Sequence, residues 1–394
     1  MPAWTASAHG PYPMGNAVAQ PELRGILAAS GADDQTFRLI VKPDIWGNSI
    51  RLRLSNAFGS QPVTFDEVYA GLHASAGSLL TGTNRPVRFN NGKTSVTVEP
   101  GKWAYSDPVT LNYGNRDLSG RKMAVSFHIA GSSGPMTWHA KAMTTSYLSP
   151  PHSGAHAKEE SSQAFPFTST SWYFLDAVQV NATAGTKAIV AFGDSITDGT
   201  NSTINGDDRW PDFFSQRLHE KYGAKFAVVN EGIGGNQVLK TGGGPAALDR
   251  LDNDVLSLPG VSAVIWLEGV NDIGAGATAE AIIAGFRDGV ARLHARGIRV
   301  IGATITSSLN STPNQGTPEA DAKRKAVNEF IRNGGVFDGV ADFDAATLDP
   351  KQGTLKPEFQ PNSSIGGPGD RLHPNRAGYQ AMANSIDLAN VIEH

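Results

Sequence analysis

The chain has 394 residues, which is long enough for two domains, and its 40% hydrophobic and 18% charged residues are typical of a globular protein. A formal net charge of -4 offers no electrostatic attraction to nucleic acid or to an anionic membrane, so neither is expected as a partner. Cysteine is absent, which excludes disulfides, cysteine-ligated metals and a thiol nucleophile. No apolar run approaches the length of a membrane span.

The front half of the chain alternates apolar and polar residues up to about Val180, which predicts half-buried β-strands. The alternating apolar positions are Ile50, Leu52 and Leu54, then Val96 and Val98, then Val125, Phe127 and Ile129. Asn90-Asn91-Gly92 predicts a hairpin turn between Val87–Phe89 and the strand at Val96. With no convincing helix here and a last strand expected at Trp172–Val180, the pattern favours an antiparallel sandwich or jelly roll.

A short polar segment at Asn181–Lys187 predicts a domain boundary, giving domains 1–184 and 185–394. Beyond it, predicted strands and helices alternate, which indicates a parallel, doubly wound sheet. The predicted strands are Ala188–Phe192, Lys225–Asn230, Ser262–Leu267, Arg299–Thr304 and Gly339–Phe343. The predicted helices are Trp210–Tyr222, Ala246–Leu256, Ala279–Arg296, Pro318–Arg332 and Asn375–Val391.

A serine lies where the first strand of the second domain ends. The apolar run Ala188–Phe192 leads into Gly193-Asp194-Ser195, so Ser195 is expected at the carboxyl edge of the sheet, where open α/β sheets carry their sites. Most Gly-x-Ser tripeptides are ordinary loops, and a serine nucleophile needs a base, an acid that orients the base, and donors for the oxyanion. Asp194 and Asp198 are interpreted as turn-shaping residues.

Three later stretches could supply those groups. Asn230–Asn236 is a glycine-rich stretch whose backbone N–H groups could face a ligand, although a phosphate loop or a plain turn has the same appearance. Asn271 follows the third strand and could donate to an oxyanion, or form a helix cap or an Asx-turn. Asp370 lies three residues before His373 and could accept its Nδ1–H, which would leave Nε2 free as a base.

Taken in order, GDSITDG, NEGIGGN, EGVND and DRLHPNRAGY resemble the four motif blocks of the SGNH, or GDSL-type, ester hydrolase family. The resemblance covers the chain after Lys187 and implies a three-layer α/β/α fold with a five-stranded parallel sheet. It implies that Ser195 is the nucleophile, with His373 as general base and Asp370 as its orienting acid. It also implies an oxyanion hole formed by the backbone N–H groups of Ser195 and Gly235 and the side chain of Asn271.

The front half resembles the β-sandwich domain that precedes this catalytic domain in a subset of bacterial secreted members, through Arg51–Asn56. We therefore expect a secreted or periplasmic protein in its mature form, without a signal peptide, while a cytoplasmic location stays open. The front domain could bind carbohydrate or only support the catalytic domain. Trp138, His139 and Trp172 are candidates for substrate contact there, although strand aromatics more often lie in the core.

The expected reaction is hydrolysis of an ester through an acyl-serine intermediate, without cofactor or metal. Trp210 and the loops Thr306–Thr317 and Pro350–Gly369 are candidates to line the substrate pocket. Because the latter loop has few large apolar residues, the sequence favours short acyl groups, above all acetyl groups on carbohydrate. Activity on simple, aryl or lipid esters or on thioesters is the alternative, and a non-catalytic carbohydrate-binding protein is another. The oligomeric state is not indicated.

Overall fold

A computed structural model describes residues 1–15, 17, 23, 25–114 and 116–392. The chain divides into two compact units, Met1–Ala184 and Gly185–His394.

The first unit is an all-β sandwich, and no helix is present in its described residues. Its strands are β1 (Pro2–Thr5), β2 (Gly10–Pro11), β3 (Asp33–Val41), β4 (Ser49–Ser55), β5 (Val63–Ser75), β6 (Ser78–Leu79), β7 (Arg85–Pro86), β8 (Val96–Val98), β9 (Trp103–Tyr105), β10 (Val109–Thr110), β11 (Met123–Ser132), β12 (Thr137–His139), β13 (Ser146–Leu148), β14 (Phe167–Ser169), β15 (Trp172–Tyr173) and β16 (Leu175–Val180). They pair antiparallel in three sheets, ordered β1-β16-β4-β10, β14-β13-β3-β11-β5-β6 and β15-β12-β2, with β9 on β4 and with β7 and β8 on β5. The predicted β-sandwich class is confirmed.

The prediction of a single strand at Trp172–Val180 is wrong, because Phe174 divides this segment into β15 and β16, which belong to different sheets. Phe174 has a left-handed φ of 59° and is 1% exposed. Its ring packs edge-on against Phe65 and Phe127 at centroid distances of 5.4 and 6.3 Å. The break in the strand therefore places an aromatic ring in the core of the sandwich, where its burial offsets the backbone strain.

The turn predicted at Asn90-Asn91-Gly92 is present, with left-handed φ at all three residues and a bridge between Phe89 and Lys93. The predicted pairing of the two strands on either side of this turn is not observed. The strands that flank the turn, β7 and β8, each pair with the long strand β5 instead of with each other. The turn signal is local, whereas the choice of strand partner depends on burial against a third strand.

The second unit is a three-layer α/β/α structure. Its strands are β17 (Lys187–Gly193), β18 (Phe226–Gly232), β19 (Val261–Leu267), β20 (Arg299–Ala303) and β21 (Gly339–Ala341). Its helices are α1 (Ser195–Asp198), α2 (Trp210–Tyr222), α3 (Ala247–Leu251), α4 (Val270–Gly274), α5 (Ala279–His294), α6 (Pro318–Asn333), α7 (Phe343–Thr347), α8 (Arg376–Ser385) and α9 (Leu388–Ile392), with 3-10 turns at Gly223–Lys225 and Pro357–Phe359 and a π-helical turn at Asp252–Leu256.

The five strands form one parallel sheet in the order β18-β17-β19-β20-β21, which confirms the predicted doubly wound class. Alternate residues of β17 face opposite layers of helices. Val190 and Phe192 pack in the core that includes α5 and α6, and Ile189 and Ala191 pack in the core that includes α2 and α8. A strand buried on both faces explains the continuous apolar run seen in the sequence.

Helix α5 lies unusually close to the sheet. A Cβ atom built on Gly289 would lie 2.3 Å from the Trp266 ring of β19, and one on Gly285 would lie 2.7 Å from Val238. The helix begins at the side-chain cap of Thr278, which accepts a hydrogen bond from the Ala281 N–H. Gly289 thus allows the indole of Trp266 to pack between helix and sheet, and Gly285 on the same helix face leaves room for Val238.

Two predicted elements end differently in the structure. The helix predicted at Asn375–Val391 is two helices, because Ile386 is extended and the Asp387 side chain accepts from the Ala389 N–H to start α9. The strand predicted to reach Phe343 stops at Ala341, because the Asp342 side chain caps α7. Within the described residues, none of the helices has the length and apolar character needed to cross a bilayer.

Candidate active site

Ser195 is the first residue of α1, immediately beyond the carboxyl end of β17. The Asp194 carboxylate caps this short helix by accepting from the Ile196 N–H at 2.9 Å, and Gly199 ends it with a left-handed φ of 104°. Gly193 makes the tight approach possible, because a Cβ there would lie 2.2 Å from the Leu267 carbonyl oxygen of β19. The sheet and its cap thus fix the position of the Ser195 hydroxyl.

His373 and Asp370 complete a hydrogen-bonded series with Ser195. His373 Nε2 lies 2.7 Å from Ser195 Oγ, and His373 Nδ1 lies 2.6 Å from Asp370 Oδ2. An ionised carboxylate can only accept, so Nδ1 carries the proton and the serine hydroxyl donates to Nε2. The structure therefore brings together the three residues that the sequence singled out as nucleophile, base and acid.

The Asp370 side chain folds back over its own loop. Its Oδ1 accepts from the N–H groups of Leu372 at 3.0 Å and of His373 at 2.9 Å, and Arg371 between them has a φ of 61°. Burial alone would raise the pKa of the Asp370 carboxyl. The hydrogen bond and charge of the His373 ring, together with the two backbone N–H groups, hold that pKa well below its usual range. Asp370 is therefore ionised and oriented toward the imidazole.

The glycine-rich loop after β18 is held by hydrogen bonds from the two residues that precede Gly235. The Ile233 N–H donates to the Gly193 carbonyl at 3.0 Å, and the Gly234 N–H donates to Asp198 Oδ2 at 3.0 Å. Gly235 itself has a left-handed φ of 80°. Within the described part of the chain, the structure records no acceptor for the backbone N–H of Gly235 or of Ser195. Both donors remain available to a ligand.

Asn271 lies in α4, just beyond the carboxyl end of β19. Its Nδ2 donates to the Asn236 carbonyl at 2.9 Å, which links α4 to the residue after Gly235. Its Oδ1 accepts from Gln315 Nε2 at 3.1 Å. An amide nitrogen carries two hydrogens, so one Nδ2–H is left for another acceptor.

Arg250 of α3 joins the backbone around the nucleophile to the glycine-rich loop. It is 4% exposed, and it donates from Nη2 to the Gly193 carbonyl, from Nη1 to the Glu231 carbonyl and from Nε to Asn236 Oδ1, all at 2.8–2.9 Å. Its guanidinium also lies 4.0 Å from the centroid of the Phe192 ring. One buried cation thus fixes the ends of β17 and β18 relative to each other.

Buried carboxyl groups surround this cation. Burial raises the pKa of Asp194 to about 7 and that of Glu268 to about 8, and the neighbouring carboxylates add to both shifts. Burial also raises the pKa of Asp272, although it accepts from the N–H groups of Val238 and Leu239. Asp194 and Asp272 hold backbone N–H groups next to the site, whereas Glu268 accepts from the Trp266 indole.

Some predicted contacts lie in the core instead. Trp210 is fully buried, so it is not exposed to a substrate. Its indole donates to Thr197 Oγ1 at 3.3 Å and packs on Phe343, and it therefore supports α1 from the core. The front-domain candidates Trp138, His139 and Trp172 are at most 5% exposed. These side chains lie in the core of the sandwich, which is the more common location of aromatic residues in strands.

Sequence reasoning did not identify Arg250 or Asn201 as parts of the site, and it included Gln315 only within the candidate pocket loop Thr306–Thr317, without a role of its own. Asn201 donates to the His373 carbonyl at 3.2 Å and accepts from the Asn362 amide at 2.6 Å. None of these residues lies in a recognisable motif. The closest indication in the sequence is that Arg250 lies within the predicted helix Ala246–Leu256. Among the described residues, His, Asp and Glu side chains form no group of three able to hold a metal ion.

The model of the GDSL-like Lipase/Acylhydrolase family matches residues 191–381. No curated protein sequence matches the chain.

Among solved structures, the chain is similar to a GDSL-like lipase from Bacteroides thetaiotaomicron, with 19% identity, a TM-score of 0.41, and coverage of 54% of this chain and 91% of that one. It is also similar to the lipase/acylhydrolase from Enterococcus faecalis, with 21% identity, a TM-score of 0.39, and coverage of 50% and 92%. A catalytic mutant of an acetylxylan esterase from Geobacillus stearothermophilus gives 20% identity, a TM-score of 0.39, and coverage of 52% and 94%. Likeness at this level carries no information about substrate.

Proposed function

Because residues 191–381 belong to the GDSL-like lipase/acylhydrolase family, we propose that the protein hydrolyses carboxylic esters through an acyl-enzyme on Ser195. The observation that carries the proposal is the series from Asp370 through His373 to Ser195, with hydrogen bonds of 2.6 and 2.7 Å. A serine hydroxyl is a poor nucleophile without such a base, and a base without an orienting acid samples the wrong tautomer.

In the acylation step, Ser195 Oγ attacks the ester carbonyl carbon while its proton passes to His373 Nε2. The carbonyl oxygen becomes an oxyanion and accepts from the N–H groups of Ser195 and Gly235 and from Asn271 Nδ2. Asp370 stabilises the imidazolium through Nδ1–H. His373 then protonates the departing alcohol oxygen, and the carbon–oxygen bond to the alcohol breaks.

Deacylation repeats the same proton movements with water. His373 Nε2 takes a proton from water, the hydroxide oxygen attacks the acyl carbon, and the same groups donate hydrogen bonds to the second oxyanion. The proton returns to Ser195 Oγ as the carboxylic acid leaves. Each step relies on the hydrogen-bonded series of Asp370, His373 and Ser195, and the three donors named above stabilise each oxyanion.

For the substrate we propose short acyl groups, in particular acetyl groups on carbohydrate. Two features support this choice. The loop 350–369 before Asp370 is rich in proline, glycine, serine and asparagine, and Trp210 is unavailable for contact because it is buried. Among the described residues of the second unit, Ile365 is the exposed large apolar side chain. A site for long acyl chains would need more apolar surface than this.

The test is acetate release from acetylated xylan, pectin and chitin fragments, measured beside Ser195→Ala and beside an acyl-chain-length series of p-nitrophenyl esters. We expect release that is abolished in Ser195→Ala and aryl-ester rates that fall as the acyl chain lengthens. Hydrolysis of aryl acetate without release from any carbohydrate would overturn the substrate proposal alone. Full activity in Ser195→Ala would overturn the proposal that the reaction passes through an acyl-enzyme on Ser195.

A further inference from the structure

The side chain of Gln315 reaches from the loop after β20 to Asn271. We propose that Gln315 is a positioning residue that fixes the orientation of the Asn271 amide, so that Asn271 Nδ2 faces the oxyanion. This inference rests on the proposed function, because it gives Gln315 a role only if Asn271 stabilises an oxyanion.

The two partners of Asn271 distinguish the ends of its amide. Gln315 Nε2 can only donate, and it lies 3.1 Å from Asn271 Oδ1; the Asn236 carbonyl can only accept, and it lies 2.9 Å from Asn271 Nδ2. Rotating the amide by 180° would place two donors opposite each other at Gln315 and two acceptors opposite each other at Asn236. Without Gln315, the Asn236 carbonyl is the one partner among the described residues that would oppose that rotation.

The orientation of Gln315 is itself determined. The Thr312 hydroxyl oxygen accepts from the Gln315 backbone N–H at 3.2 Å and donates its proton to Gln315 Oε1. With Oε1 engaged there, Nε2 faces Asn271. The hydrogen bonds therefore run in one direction, from the Thr312 hydroxyl through the Gln315 side chain to Asn271 and Asn236.

The loop that carries Gln315 is held by its own backbone and by its neighbours. The Ser308 hydroxyl donates to the Gln315 carbonyl at 2.9 Å, and the Gly316 N–H donates to the Thr312 carbonyl at 2.9 Å. On the opposite side, Gly274 of α4 leaves room for the Gln315 side chain, because a Cβ at position 274 would lie 2.7 Å from Gln315 Cγ. The loop and the helix are fitted to this one side chain.

The experiment compares the hydrolysis of p-nitrophenyl acetate by the Gln315→Glu variant with that by the wild-type protein. The glutamate has nearly the same shape but no N–H, and it faces Asn271 Oδ1 with an acceptor, which favours the rotated amide. We expect kcat to fall about tenfold or more, with little change in KM, because the donor acts on the transition state. Removing the donor itself, as in Asn271→Ala, costs about 10²–10³ in kcat.

A double-mutant cycle separates this role from others. In the Asn271→Ala background, Gln315→Glu should change kcat by less than about twofold, because the group it orients is gone. An added negative charge that merely repels the oxyanion would lower kcat in both backgrounds. Gln315→Met adds no charge and no donor, so it should also lower kcat, and it serves as the second variant if the glutamate variant fails to fold. Gln216→Glu, the same substitution on the exposed face of α2, should leave kcat unchanged.

The inference fails if folded Gln315→Glu and Gln315→Met both keep the wild-type kcat, if they raise only KM, or if Gln315→Glu acts equally in the Asn271→Ala background. Failure of the proposed function gives a different result. In that case the wild-type protein shows no hydrolysis that Ser195→Ala removes, whatever residue stands at position 315.

Discussion

Glu268 illustrates how burial changes the chemistry of one side chain. It is fully buried directly beyond β19, and its Oε2 accepts from the Trp266 indole N–H at 2.8 Å. Within the described residues, its Oε1 has no hydrogen-bond partner. Burial raises its pKa to about 8, with Asp194 and Asp272 adding to the shift, against the opposing effects of Arg250 and the indole. At neutral pH the folded protein keeps Glu268 protonated.

A carboxyl group with a higher pKa in the folded chain makes folding less favourable as the pH rises. In the unfolded chain Glu268 loses its proton near its ordinary pKa of about 4.3. Between that pH and about 8 the folded state binds more protons than the unfolded state, so the free energy of unfolding decreases with rising pH. We predict that Glu268→Gln, which copies the neutral form, is increasingly more stable than wild type from pH 5 to pH 9.

Urea unfolding of both proteins at several pH values measures this difference. Glu220→Gln, on the exposed face of α2, is the matched control and should show a constant offset from wild type. A constant offset for Glu268→Gln as well would contradict the prediction.

Among the site residues, the sequence predicts those whose position follows from a local rule. Ser195 and Asn271 follow strands that the apolar pattern identifies, and Asp370 lies three positions before His373, which suits a side chain that folds back on its own loop. The structure brings Ser195, His373 and Asp370 together. Gln315 and Arg250 could not be assigned in this way, because no local rule links them to their partners. Gln315 lies 44 residues from Asn271, and Arg250 lies 57 residues from Gly193, so these contacts depend on the packing of loop and helix.

At the scale of elements, the close packing of helix α5 on the sheet depends on the lack of a side chain at Gly289. We predict that Gly289→Ala lowers the free energy of unfolding by about 1–3 kcal/mol, because its methyl group would overlap the Trp266 ring. In an exposed helix position the same substitution would stabilise by about 1 kcal/mol. The sign of the effect therefore reports the close packing of helix and sheet.

Chemical denaturation measures the change, and the reverse substitution provides the control. Ala284→Gly lies on the exposed face of the same helix and should destabilise only through helix propensity, by about 0.5–1 kcal/mol. A Gly289→Ala variant that is more stable than wild type would show that Trp266 can move aside at little cost.

Elements with a strong periodic pattern were predictable, and those set by a single side chain were not. The strands of the parallel sheet and helix α5 follow from runs and repeats of apolar residues. By contrast, Asp387 divides the last helix, Asp342 ends the fifth strand and Phe174 divides the last strand of the sandwich. In each case one polar cap or one buried ring outweighs the propensity of its neighbours.

At the scale of the whole molecule, all groups of the proposed site belong to Gly185–His394, which has its own core on both faces of its sheet. We predict that residues 185–394 produced alone fold and hydrolyse p-nitrophenyl acetate with the kcat of the full chain. The same fragment with Ser195→Ala gives the background. A folded fragment without activity would show that the first unit contributes to catalysis.

Arg250 has a consequence for how sequences of this kind are interpreted. It holds the ends of β17 and β18 together, yet it lies outside all four motif blocks, between the second and the third. A variant with leucine at this position would retain every motif and would lose the hydrogen bonds that join those two strand ends. The presence of the four blocks in a sequence is therefore not sufficient to establish that the backbone of the site is held in place.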